Sequence, residues 1–130
     1  MTDIVADTSA IVEVMIDGPR AKSVREALNG ATLVFASPVA RVETALVVMG
    51  RFGWDRATFD RNWQALGLDE IAVDASIASL AIDAFEAWGK GRSAAGLNFG
   101  DCFSYALATA RSVPLLFVGD DFASTDIARI

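Results

Sequence analysis

Four acidic residues carry the chemistry that this 130-residue sequence indicates. They are Asp7, Glu43, Asp101 and Asp121. If the fold brings them together, each charge raises its neighbours' pKa, and a hard divalent cation relieves the repulsion because it prefers oxygen ligands. Mg²⁺ suits such a site, and Mn²⁺ is expected to replace it. A cation held there makes water nucleophilic toward a phosphodiester, so the acids indicate metal-dependent phosphodiester hydrolysis.

Composition excludes several other kinds of chemistry. The sequence has no histidine, so it contains no Ser-His or Cys-His nucleophile pair and no His-ligated zinc site. A net charge of -6 argues against adhesion to nucleic acid through a basic surface, but not against an acidic centre that metal ions neutralise. The single cysteine, Cys102, lies in a predicted apolar helix and is expected to be a small core residue.

Length and hydropathy predict one folded domain over residues 1–130. Hydrophobic residues make up 53% of the chain and its mean hydropathy is +0.38, which is enough to form a core. The apolar runs are short and interrupted by charges, so we expect no membrane span and a cytoplasmic protein.

Strand and helix patterns alternate along the chain. Short β-prone runs occur at 4–6, 32–36, 71–73 and 114–118, with a further edge strand possible at 124–130. Helical patterns occupy the intervals, including 38–52, 75–88 and a helix that has Asp101 in its first turn. The alternation predicts a three-layer α/β/α sandwich around a mostly parallel sheet of four to five strands.

This architecture places the acids at one edge of the sheet. Ligands of such sheets bind outside the carboxyl ends of the strands. Asp7 and Asp121 follow strands, and Glu43 lies in the helix that leaves the second strand. Asp101 joins them if the loop before its helix returns to that edge. Two assignments stay open: Asp7 serves equally well as a helix cap, and Asp120 competes with Asp121.

Glu43 is the acid whose position is hardest to explain as surface charge. The predicted apolar stripe of its helix is Val39, Val42, Leu46 and Met49. Glu43 is three or four residues from members of that stripe, so it is expected to point inward. A carboxylate in that position needs a partner, a proton or a metal ion.

Four stretches resemble the PIN-domain toxins of the VapC type. They are Asp7-Thr8-Ser9-Ala10, Glu43-Thr44-Ala45, residues 89–106, and residues 115–122 with 125–127. The resemblance implies a Mg²⁺-dependent ribonuclease, the toxin of a bacterial toxin–antitoxin pair. It also implies a homodimer held inactive by a small antitoxin that covers the site. On this resemblance Asp7, Glu43 and Asp101 carry metal, and Asp121 is the fourth acid.

The same resemblance suggests roles for nearby polar residues. Lys90 and Arg92, in the glycine-bearing loop before Asp101, are expected to hold RNA phosphates, with Arg41 or Arg51 extending the basic track. Ser9 and Asn98 are expected to orient Asp7 and Asp101.

Two rival hypotheses start from the same acids. One is a receiver-like domain that is phosphorylated on an Asp, although the lysine expected after a late strand is absent. The other is a non-catalytic interaction module whose acidic pocket docks an arginine of a partner. An RNA-cleavage assay separates both from a nuclease.

Overall fold

Four short parallel strands form the sheet of the computed structural model, which describes residues 2–130 of the chain. They are β1 (Ile4–Ala6), β2 (Val34–Ala36), β3 (Asp69–Glu70) and β4 (Leu115–Leu116). Their order across the sheet is β3-β2-β1-β4, and every pairing is parallel. The carboxyl ends of all four strands therefore lie at one edge.

Helices connect the strands and cover both faces of the sheet. They are α1 (Thr8–Met15), α2 (Ala21–Gly30), α3 (Pro38–Phe52), α4 (Arg56–Ala65), α5 (Ala75–Trp88) and α6 (Phe99–Arg111). Most begin where a short polar side chain accepts a backbone N–H, as Ser37 does from Val39 and Asp55 does from Thr58. None of the described helices has the length and apolar character needed to cross a membrane.

The strands bury side chains on both faces, which confirms the predicted three-layer sandwich. Val5 packs into the core beneath α5 and α6, whereas Ile4 and Ala6 pack against α1 and its neighbours. Cys102 lies buried in the first of these clusters, as predicted. In the tail, Arg129 forms an isolated parallel bridge with Leu115 of β4 in place of the expected edge strand.

The third strand was predicted at 71–73 but lies at Asp69–Glu70. Its register pairs Phe35 with Asp69 and continues one residue further, and the Ile71 N–H then donates to the Ala36 carbonyl. Beyond this bond the chain leaves the sheet, and Ile71 packs against the core beneath α5 and α6. The strand is thus an exposed polar edge, and the apolar run lies just after it.

The predicted buried stripe of α3 is also wrong. Its members Val42, Leu46 and Met49 are exposed. The buried positions are instead Ala40, Thr44 and Val48. Small side chains on this face let α3 pack against α1. The buried Thr44 hydroxyl is not left without a partner, because it donates a hydrogen bond to the Ala40 carbonyl at 2.7 Å.

Two leucine truncations test this arrangement of buried and exposed faces. Leu107 is 2% exposed in α6, whereas Leu46 is 68% exposed in α3. Leu107→Ala should lower the free energy of unfolding by about 2–5 kcal/mol because it leaves a cavity. Leu46→Ala should change it by no more than about 0.5 kcal/mol. Urea titrations of both variants would measure the difference, and equal losses would contradict the described face of α3.

Candidate metal centre

The four predicted acids line one cavity at the carboxyl edge of the sheet. Its volume is about 260 Å³. The other lining residues are Thr8, Ser9, Val12, Val47, Arg51 and Asn98. The helix α6 starts at this edge, so the fold brings Asp101 to the acids that follow β1 and β4.

Asp7 is both the N-cap of α1 and a wall of the cavity. Its Oδ2 accepts hydrogen bonds from the Ser9 N–H at 3.0 Å and the Ser9 hydroxyl at 2.7 Å. Its Oδ1 is the one buried side-chain nitrogen or oxygen in residues 2–130 that has no hydrogen-bond partner. Burial raises the pKa of Asp7, and the nearby hydroxyls of Ser104 and Ser9 oppose that rise. Capping therefore uses one oxygen and leaves the other free.

Ser9 ties Asp7 to the loop that carries the fourth acid. Its Oγ donates to Asp7 and accepts from the Val118 N–H at 3.0 Å. The loop then turns at Gly119, whose φ of 97° is in the region that favours glycine. Asp121 lines the acidic cavity although it is exposed, whereas Asp120 lines a separate cavity.

Asp101 is held by a reciprocal cap at the start of α6. The Asn98 side chain accepts from the Asp101 N–H at 2.9 Å, and Asp101 Oδ2 accepts from the Asn98 N–H at 3.0 Å. The pKa of Asp101 is raised to about 7, chiefly by burial and further by the charges of Asp7, Asp121 and Glu43. The Asn98 backbone hydrogen bond acts in the opposite direction. The four acids therefore interact electrostatically.

Glu43 enters the cavity from α3, and its carboxylate lies between Thr8 of α1 and Gly100 of α6. The Thr8 hydroxyl donates to its Oε1 at 2.8 Å. Gly100, in the first turn of α6, leaves the space that the carboxylate occupies. Burial raises the pKa of Glu43, the Thr8 hydrogen bond lowers it, and the Asp7 charge raises it further.

The residues fit a hard divalent cation by chemical type. All four acids offer carboxylate oxygens, and Asp7 Oδ1 is buried without a partner. Within residues 2–130, however, no group of three or more Cys, Asp or Glu side chains is already arranged to hold a metal ion. The carboxylates line the cavity without meeting at one point.

The basic residues occupy different places around this centre. Arg41 pairs with Glu70, with Nε 2.7 Å from Oε1, and does not line the cavity. Arg51, in the last turn of α3, does line it. Lys90 and Arg92 are exposed in the loop before α6, outside the cavity lining, and the Arg92 guanidinium lies 5.1 Å from the centroid of the Phe85 ring.

Three residues that the sequence pattern did not connect with the acids lie beside them. Thr8 and Gly100 contact Glu43, and Ser104 lies close enough to Asp7 to lower the pKa of its carboxyl. Ser104 lies three residues after Asp101, on the same side of α6, which is the spacing that could have indicated it. The sequence carried no comparable signal for the contact between Gly100 and Glu43.

Comparison with known proteins gives this arrangement a family. Residues 4–128 match the PIN domain. Ribonuclease VapC30 of Mycobacterium tuberculosis strain H37Rv is 42% identical over 98% of both chains. Ribonuclease VapC of Mycolicibacterium smegmatis is 41% identical over 98% of this chain and 99% of its own length. The chain belongs to the VapC group of PIN-domain proteins.

Solved structures show the same PIN fold at low sequence identity. Mycobacterium tuberculosis VapC20, a Sarcin-Ricin loop cleaving toxin, aligns with a TM-score of 0.76 and 16% identity over 98% of both chains. A toxin–antitoxin complex from Klebsiella pneumoniae aligns with a TM-score of 0.70 and 18% identity, over 95% of this chain and 92% of its own. The predicted PIN-like fold is confirmed.

The raised pKa of Asp101 predicts how the stability of the metal-free PIN domain depends on pH. The Asp101 carboxyl binds a proton more tightly in the folded state than in the unfolded chain, where an Asp carboxyl has its ordinary pKa of 3.8. The free energy of unfolding should therefore fall as pH rises from about 4 to about 7. Urea unfolding in chelator at about pH 5 and about pH 8 measures this fall, which should be smaller in Asp101→Asn. An equal fall in both proteins would contradict the assignment.

Proposed function

We propose that this chain is a Mg²⁺-dependent endoribonuclease that acts as the toxin of a bacterial toxin–antitoxin pair. The observation that carries the proposal is the single cavity shared by Asp7, Glu43, Asp101 and Asp121. The proposal is supported by relatives, because VapC proteins that are more than 40% identical to this chain are named ribonucleases. Mn²⁺ should replace Mg²⁺ because the donors are all carboxylate oxygens.

The four carboxylates would hold the cation between them. When bound, a divalent cation supplies positive charge for the substrate phosphate and lowers the pKa of a water molecule. Asp7 and Asp101 each keep one oxygen in a protein hydrogen bond, which fixes the direction of the other. Thr8 orients Glu43 in the same way. Ser9 and Asn98 thus act by orienting the acids, through the hydrogen bonds described above.

The RNA backbone needs positive charge around an acidic cavity. Arg51 supplies it at the cavity wall, and we assign the outer track to Lys90 and Arg92 in the loop before α6. Arg41 is a weaker candidate, because Glu70 already neutralises its guanidinium.

The partner would be a small antitoxin protein. Solved structures with a similar fold include VapBC-5 of Mycobacterium tuberculosis, a member of the VapBC family of toxin–antitoxin systems, and FitAB bound to a DNA fragment. Large side chains exposed on α3 and α5, such as Leu46 and Ile82, would suit contact with a second copy of the chain in a homodimer.

RNA cleavage by purified, partner-free protein tests the proposed function. Total RNA should be cut in Mg²⁺ or Mn²⁺ and left intact in chelator. Asp101→Asn should lower the rate on the order of 100-fold or more, because it removes a charge that would hold the cation. Fragments would be measured on denaturing gels.

Asp83→Asn is the matched control because Asp83 is exposed on α5, outside the cavity. It should cleave at the wild-type rate. Metal-independent cleavage, or full activity of Asp101→Asn, would refute the metal centre. Folded protein that binds a partner but never cuts RNA would favour the acidic-pocket interaction module.

A second experiment tests the outer basic track. The double variant K90A/R92A should bind uncleaved RNA more weakly and retain Mn²⁺ binding, because neither residue lines the acidic cavity. The slope of log affinity against log salt should become shallower by about 1 for each RNA phosphate that is no longer neutralised. The matched double variant R20A/K22A removes the same charges from the exposed start of α2, away from the acidic cavity, and should leave the slope unchanged. Equal affinities for all three proteins would reject the track.

A further inference from the structure

Gly100 occupies a helical position where glycine has no conformational purpose. It lies in the first turn of α6, and its φ is not in the left-handed region. Glycine is a poorer helix former than alanine, so its presence there needs another reason. The next residue is Asp101.

The reason lies in the space beside its Cα. A Cβ at Gly100 would stand closer than 3.0 Å to Oε1, Oε2 and Cδ of Glu43, a distance that Cβ atoms do not keep from such neighbours. The Thr8 hydroxyl holds the same Oε1 from α1. The carboxylate of Glu43 is therefore confined between a donor on α1 and a bare Cα on α6.

We infer that Gly100 is a positioning residue for Glu43, which keeps the Glu43 carboxylate within the acidic cavity by having no side chain. The inference rests on the proposed metal-dependent function. The overlapping atoms belong to the far end of a flexible side chain, so the glutamate can swing away when the space is filled. Gly100→Ala should therefore preserve the fold and displace one of the four acids.

The helix α3 offers a matched control. Gly50 is also helical, without a left-handed φ, and a Cβ there meets nothing within 4 Å. Gly50→Ala thus makes the same chemical change in open space. It should raise the thermal midpoint slightly and leave metal affinity unchanged, because alanine is the better helix former.

Mn²⁺ titration of the metal-free protein, followed by calorimetry, tests the inference apart from catalysis. Gly100→Ala should weaken Mn²⁺ binding by about tenfold or more, which is the usual loss when a ligand is no longer held in place. Glu43→Asp shortens the side chain and withdraws it from position 100. In that background the added Gly100→Ala should cause little further loss.

The cycle of four proteins separates positioning from damage to the fold. Wild-type affinity in Gly100→Ala would overturn the inference, and so would an equal loss in the presence and absence of Glu43→Asp. If the wild type binds no Mn²⁺, the metal proposal fails by itself. The inference is then judged from thermal midpoints: Gly100→Ala should raise the midpoint more in a Glu43→Ala background than in the wild type. Equal changes would overturn it.

Discussion

Mutual repulsion among carboxylates is the constraint on which the carboxyl edge of this sheet depends. Burial raises the pKa of Asp7, Glu43 and Asp101, and the negative charges of neighbouring acids raise those of Glu43 and Asp101 further. An edge built in this way opposes folding unless protons or a cation neutralise it. The stability given up there must be supplied by the apolar clusters on both faces of the sheet.

The protein meets part of this constraint by giving two of the carboxylates a second task. In Asp7 and Asp101 one oxygen completes a helix cap and the other stays outside that bond. The N-terminal end of a helix favours negative charge, so the caps offset part of the repulsion. Asp7 and Asp101 are then fixed by neighbouring residues of the chain, and their orientation does not depend on a distant side chain. This explains why the centre can be assembled from three helices and a loop.

The sequence predicted the parts of this molecule that have strong local signals. The helix α5 has a clear apolar period and the caps Ser37 and Asp55 precede their helices, so these elements were located correctly. The edge strand β3 was missed because two exposed acidic residues carry no strand pattern. The face of α3 was reversed because hydropathy favours large side chains, whereas close packing against α1 selects small ones. The cavity follows from topology, but the approach of Thr8 and Gly100 to Glu43 depends on how three helices pack, which no local pattern encodes.

The bond between the Ser9 hydroxyl and the Val118 N–H joins residues 109 positions apart. During synthesis the ribosome therefore releases Asp7 and α1 long before the segment that anchors them exists. Until Val118 and the loop after it have emerged, the cavity has one wall missing and Asp121 is not yet present. A growing chain of this protein thus has no assembled acidic centre until nearly all of its residues have been made.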